Sequence, residues 1–199
     1  FFIRRTFRGN ALYTTVFKEY LYSVLSRNTP LEYFIEGGRS RTGRLLPPKT
    51  GMLAMTVHGH LRGKAKPIVF VPTYIGYERL MEGATYVGEM NGKEKEAESI
   101  FGILKTLRKI ERIFGKVHLN FGEPVFLDDM LKQHGADEIK IEKNDDPIPQ
   151  PVSDAVNSSA QAILENINRA VVVNPVSLLS LILLATPKHT LDEEICIKQ

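Results

Sequence analysis

Apolar residues recur in adjacent pairs four positions apart near the start of the chain: Leu12/Tyr13, Val16/Phe17, Tyr20/Leu21 and Val24/Leu25. That spacing predicts an amphipathic helix, begun by Asn10 as N-cap and closed by Asn28-Thr29-Pro30. Shorter apolar runs flank it. Phe1-Phe2-Ile3 reads as the tail of a buried strand, and Glu32-Tyr-Phe-Ile-Glu36 as a second strand. Thr50 to Arg62 follows as a helix carrying Met52, Leu53, Met55, Val57 and Leu61. Ile68-Val-Phe-Val71 is a β-branched run typical of a strand covered on both faces. A third helix is expected from Lys93 to Phe114, with Ala97, Ile100, Phe101, Leu104, Leu107 and Phe114 on one side. Val117-His-Leu-Asn-Phe121 then reads as a strand stopped by Gly122-Glu-Pro124. Strand and helix alternate, which predicts an α/β fold with a mainly parallel sheet flanked by helices.

The pattern changes at Glu142 to Pro151, where charged residues and three prolines read as a stiff linker. Val152 to Val173 and Pro175 to Ala185 read as two helices separated by an Asn174-Pro175 cap. Val176 to Ala185 is strongly apolar but too short to cross a bilayer, so a packed helix is expected rather than a membrane anchor. The expected organisation is an α/β domain over 1–141, a linker over 142–151 and a small C-terminal helical appendage over 152–199.

With 199 residues the chain can bury one substantial core. Charge alters the picture more than size does. Residues 1–50 hold nine Lys/Arg against three Glu, whereas the remaining 149 hold 17 basic and 20 acidic residues. Positive charge is thus focused on the first quarter, which points to an anionic partner there. The single cysteine, Cys196, excludes an internal disulfide, fits a reducing compartment and gives no support for a metal site. Phe1 stands where an initiating Met would be expected, so a longer protein is anticipated.

Within the basic quarter, Phe34-Ile-Glu-Gly-Gly-Arg-Ser-Arg-Thr-Gly43 concentrates the candidate chemistry. Gly37 and Gly38 permit a tight loop and close approach of another group. Arg39, Ser40, Arg41 and Thr42 bring two guanidiniums and two hydroxyls, a set suited to several anionic oxygens because guanidinium binds phosphate or carboxylate bidentately. A solvated surface loop is the plainer reading of such a run. Against it, the expected strands end in Arg4-Arg5, in Glu36 to Arg41, in Pro72 to Arg79 and in Gly122-Glu-Pro124. In open parallel sheets ligands bind beyond such carboxyl ends, and three of the four motifs would bring arginine there.

Three stretches occur in order: Phe2-Ile-Arg-Arg-Thr-Phe-Arg-Gly-Asn10, Phe34-Ile-Glu-Gly-Gly-Arg-Ser-Arg-Thr-Gly-Arg44 and Val71-Pro-Thr-Tyr-Ile-Gly-Tyr-Glu-Arg79. Together they resemble the second, third and fourth sequence blocks of glycerol-3-phosphate acyltransferases, the bacterial PlsB type in particular. The likeness continues through Thr50-Gly-Met-Leu-Ala-Met-Thr56, Asn120-Phe-Gly-Glu-Pro124 and the apolar segment from Asn174. The resemblance implies transfer of a fatty acyl group from acyl carrier protein or acyl-CoA to sn-glycerol 3-phosphate, giving lysophosphatidate for phospholipid synthesis. It implies no cofactor, and peripheral attachment to the cytoplasmic face of the inner membrane.

Carried over block by block, Arg5 and Arg39 resemble phosphate ligands, with Arg4 and Arg41 as supporting charge and Gly37, Gly38 and Ser40 forming the loop. Glu36 is expected to hold an arginine or a glycerol hydroxyl. Pro72, with Tyr74 nearby, resembles the acyl-donor side; a proline that breaks a strand end accounts for Pro72 equally well. The family's first block, His-x4-Asp, in which His is the general base and Asp orients it, does not occur in this chain and is expected upstream. His118-x4-Glu123 and His189-x4-Glu194 keep the spacing with a different acid, while His58 and His60 have no acid at that spacing, so no catalytic residue is assigned.

Two other readings stand beside this one. The chain could belong to another acyltransferase of the superfamily, with dihydroxyacetone phosphate or lysophosphatidate as acceptor. Gly37-Gly38, where such relatives commonly have Gly-Thr, and Tyr74-Ile-Gly-Tyr-Glu-Arg79 favour glycerol 3-phosphate. Alternatively, the basic quarter and Lys105, Arg108, Lys109 and Arg112 would suit a non-catalytic module for anionic lipid or nucleic acid. Nucleic acid is disfavoured, because no aromatic residues interleave that basic helix and the balance after residue 50 is acidic.

Overall fold

The computed structural model describes residues 9–38, 40, 44–63, 66–77, 116–144, 146–186 and 194. The expected strand Phe1–Ile3, the helix Lys93–Phe114, Cys196 and His189 lie outside these residues. Helices α1 (Ala11–Ser26), α2 (Gly51–Leu61), α3 (Leu127–Gln133), α4 (Gln150–Arg169) and α5 (Pro175–Ala185) are joined by strands β1 (Val69–Phe70), β2 (Thr73–Tyr77), β3 (Val117–Phe121) and β4 (Val125–Phe126). The chain divides into two compact units: Phe1–Pro72 with Phe121–Arg169, and Thr73–Asn120 with Ala170–Gln199.

Local chemistry sets the helix ends. Asn10 Oδ1 accepts from the Tyr13 amide at 2.9 Å, capping α1 as its sequence predicts. Of the paired apolar positions, one stripe, Phe17, Leu21 and Leu25, is buried, while Leu12, Val16 and Tyr20 on the adjacent stripe stay exposed. The α2 residue Gly59 faces Leu25; a Cβ there would stand 2.9 Å from Leu25 Cδ1, so α1 and α2 approach closely at this glycine. Arg62 fastens the same pair, donating to Glu19 Oε1 at 2.8 Å while its guanidinium lies 3.9 Å above the Tyr22 ring centroid.

The first unit's core joins Ile35, Leu53, Val57 and Leu61 to Leu127, Leu131, Val152, Val156, Ala160, Ile163 and Leu164. The segment expected to form a linker is tied to this unit: Asn144 Nδ2 donates to Thr15 O at 3.1 Å, and just before it Ile141 N donates to Leu61 O at 3.2 Å. The α4 helix, which begins where that linker ends, supplies eight buried residues to this unit.

The sheets differ from expectation. Helix and strand are mixed as anticipated, but a mainly parallel sheet is not what the described residues form. The β1–β4 pair is antiparallel, with Val69 opposite Phe126 and Phe70 opposite Val125. The second sheet pairs β2 with β3. Glu32–Glu36 is not a strand: residues 31–34 are irregular and Ile35–Glu36 lie in a turn. Ile35 is buried, but Phe34 is 78% exposed. Aromatic and β-branched composition reports fit to a pleated surface, and without a strand to pair with it does not make a ladder by itself. The short α3 helix, absent from the sequence reading, follows β4 directly.

In the second unit, α5 forms within the expected bounds. Asn174 Oδ1 accepts from Ser177 N at 2.7 Å, and Pro175 opens the helix. The expected packing is not found, since none of its residues is buried and Leu181 and Leu184 are 65% and 71% exposed. Capping is local and forms the helix; burial needs a neighbour. Among the described residues no helix is long and apolar enough to cross a membrane.

Candidate anion-binding loop

The turn after Ile35 is held at its base by three hydrogen bonds. Gly37 N donates to Phe34 O at 2.9 Å and Lys49 N to Ile35 O at 2.8 Å. The Leu46 amide donates to Glu36 Oε2, also at 2.8 Å. Gly37 takes φ +58°, a conformation that calls for glycine, and a Cβ there would meet Lys49 Cδ at 2.8 Å unless that flexible side chain moved. The segment therefore leaves the core at Ile35 and is closed at Glu36 and Leu46, with Gly38, Arg39, Ser40 and Arg41 between.

Arg4, Arg5, Arg39 and Arg41 lie outside the described residues. Ser40 is described: its Oγ is shielded from solvent and has no hydrogen-bond partner among the described residues. Before the turn, the Tyr33 hydroxyl is also shielded, and burial pushes its pKa up to about 12. Among the described residues, no group of three or more His, Cys, Asp or Glu could hold a metal ion.

Pro72 occupies a different setting. Its side chain is fully buried, and its carbonyl accepts from Gly122 N at 2.8 Å. A Cβ on Gly122 would stand 2.6 Å from Asn166 O and 3.3 Å from Pro72 Cβ, so glycine lets the three segments meet. The Asn166 side chain completes the joint by donating to Glu123 O at 2.8 Å. This geometry gives the Asn120-Phe-Gly-Glu-Pro124 stretch a packing role that its sequence did not reveal. Tyr74, half-buried in β2, lies across Gly76; a Cβ on Gly76 would meet its hydroxyl at 2.6 Å.

Among the described residues, His58 and His60 have other settings. His58 is buried in α2, and burial holds its imidazole below the ordinary value, with the charges of Lys18 and Arg62 acting in the same direction. His60 Nε2 lies 3.1 Å from Asp128 Oδ1, a pairing across 68 residues that no sequence spacing signals. It resembles a base and its orienter, yet the other ring nitrogen, Nδ1, is buried without a hydrogen-bond partner among the described residues. No open nitrogen is left for a substrate hydroxyl, and the pair instead ties α2 to the first turn of α3.

Residues 86–199 match the family model described as glycerol-3-phosphate acyltransferase C-terminal region, and residues 1–76 match the model described as acyltransferase. The chain belongs to the glycerol-3-phosphate acyltransferase family. A glycerol-3-phosphate acyltransferase of Pseudomonas fluorescens (strain SBW25) is 48% identical over all 199 residues, which cover 24% of that relative. Proteins of the same name from Ectopseudomonas mendocina (strain ymp) and Pseudomonas aeruginosa (strain LESB58) are each 49% identical, over 97% of this chain and 23% of theirs. The chain thus spans about a quarter of the length of these relatives. The loop and Pro72 fall in the match over residues 1–76, and β3 to α5 in the match over residues 86–199.

Proposed function

We propose that the protein containing this chain transfers a fatty acyl group from acyl carrier protein or acyl-CoA to the 1-hydroxyl of glycerol 3-phosphate. In this reading the chain supplies the grip on the substrate phosphate, and a His-x4-Asp pair outside these residues supplies the base. The observation that carries the proposal is the loop: Gly38-Arg39-Ser40-Arg41 is set between two fixed ends in a chain that matches this family throughout. Arg5 and Arg39 hold the phosphate, with Arg4 and Arg41 adding charge and Ser40 a hydroxyl. Pro72 and Tyr74 belong to the acyl-donor side, Pro72 by shaping the backbone rather than by touching the donor, since its ring is fully buried. The same reading keeps, for the whole protein, the mainly parallel sheet flanked by helices that the alternation of strand and helix suggests.

Attachment to the cytoplasmic face of the inner membrane, without spanning it, is part of the proposal. It is supported by the exposed leucines of α5 and by a product that enters the bilayer.

Arg39→Lys in the full-length protein tests the phosphate grip, because it keeps the charge and removes the bidentate fork. The KM for glycerol 3-phosphate should rise by roughly one to two powers of ten, while that for the acyl donor stays nearly constant. Arg5→Lys should behave alike, and the double variant should be non-additive if both clamp one phosphate. An unchanged KM for glycerol 3-phosphate in a folded Arg39→Lys variant would remove Arg39 from the site.

A further inference from the structure

We infer that Glu36 is a positioning residue, whose carboxylate fixes the loop by holding the Leu46 amide rather than by touching substrate. The inference rests on the loop being the phosphate site proposed above. Glu36 Oε2 and Leu46 N meet at 2.8 Å across ten residues, and the neighbouring Ile35–Lys49 bond of 2.8 Å closes the same base. A surface loop whose ends are held together loses much of the freedom it would otherwise surrender on binding a ligand. The side chain type fits this task. An ionised carboxylate accepts a backbone N–H more strongly than a neutral oxygen does. Set directly against a substrate phosphate, by contrast, it would place two negative charges together and weaken binding.

The anchor at Ile35 makes the Glu36 bond effective. Ile35 is 6% exposed within the core, and Gly37 leaves it at φ +58°, packed against the Lys49 side chain. Glu36 therefore starts from a fixed backbone position, and its contact with Leu46 transmits that position to the far end of the loop. Leu46 precedes Pro47-Pro48, which lack amide donors of their own. The Leu46 N–H is thus the last backbone donor before Lys49 that Glu36 can use.

The test compares Glu36→Ala with Glu36→Gln in the full-length protein, since the Gln carbonyl oxygen can still accept the Leu46 amide. Three quantities are read: hydrogen exchange at the Leu46 amide, the rate of tryptic cleavage after Arg44, and steady-state kinetics with each substrate varied. Glu36→Ala should lose Leu46 protection and be cut faster after Arg44. Its KM for glycerol 3-phosphate should rise by roughly tenfold or more, with the acyl-donor KM nearly unchanged. Glu36→Gln should restore protection and cleavage rate and bring the KM back most of the way. Equal kinetic loss in both variants, with Leu46 protection intact, would show the carboxylate acting on substrate and overturn the inference. So would unchanged exchange and cleavage in Glu36→Ala. Exchange and cleavage report on the loop whether or not acyl transfer is the activity, so failure of the functional reading is distinguished from failure of the positioning role.

Discussion

Eleven of the twenty residues of α4 are polar, whereas Ser177 and Ser180 are the only polar residues of α5. Yet α4 contributes eight buried residues and α5 none. The apolar residues of α4 are spaced to share one face, Val152, Ala155, Val156, Ala160, Ile163 and Leu164, and that face meets α2 and α3 in a common core. In α5 leucines surround the axis, so no stripe selects a side to bury. Burial follows the match between an apolar face and a neighbour, not the apolarity of a segment.

The contrast can be broken most forcefully at Ala160, which is fully buried in α4. Ala160→Asp places an unpaired carboxylate in the core and should cost about 3–5 kcal/mol of stability, read by denaturant unfolding. A loss below about 1 kcal/mol would mean that α4 is not packed as described.

Acid should then separate the two helices by a smaller effect. His58 lies in the unit that contains α4, and its folded-state pKa is depressed, chiefly by burial, with Asp146 opposing part of the shift. The unfolded chain binds the proton first, near an ordinary histidine value of about 6.5. Stability is therefore fully present above that pH and is lost as pH falls from it toward the depressed folded value. His58→Gln should flatten the fall in unfolding free energy between about pH 7 and 5. No residue of α5 titrates in that range, so its helicity should not follow the change. An identical pH slope in wild type and variant would contradict the assignment.

The smallest effect belongs to α5. Leu181→Asp, at a position 65% exposed, should change the stability of the 199-residue chain by no more than about 0.5 kcal/mol. In the full-length protein, liposome flotation would sharpen the point. Weaker lipid binding by a stable Leu181→Asp variant supports a membrane-facing α5, whereas a cost comparable with Ala160→Asp would show that protein covers the helix.

The glycines and arginines of the candidate site, and their order, were legible because they are properties of the chain itself. The two ends of the Glu36 loop and the cradle around Gly37 were not, since each joins residues ten or more positions apart. Pro72 illustrates the same limit. Its sequence allowed a donor-side residue and a strand-end breaker alike, and only the fold revealed a buried joint with Gly122 and Asn166.

By itself the sequence determined what depends on near neighbours. Asn10 and Asn174 cap the amides three residues ahead, and periodic or strongly apolar runs mark α1, α2 and α5 to within a residue or two. The tertiary structure alone decided which α1 stripe is buried, why Glu32–Glu36 turns instead of pairing, and how α4 enters the core across the expected linker. It also brought His60 to Asp128 and Glu36 to Leu46. The physical reason is distance along the chain. A cap satisfies its donor within one helical turn, whereas a buried face, a strand ladder or a loop clasp exists only when a remote segment supplies the other half.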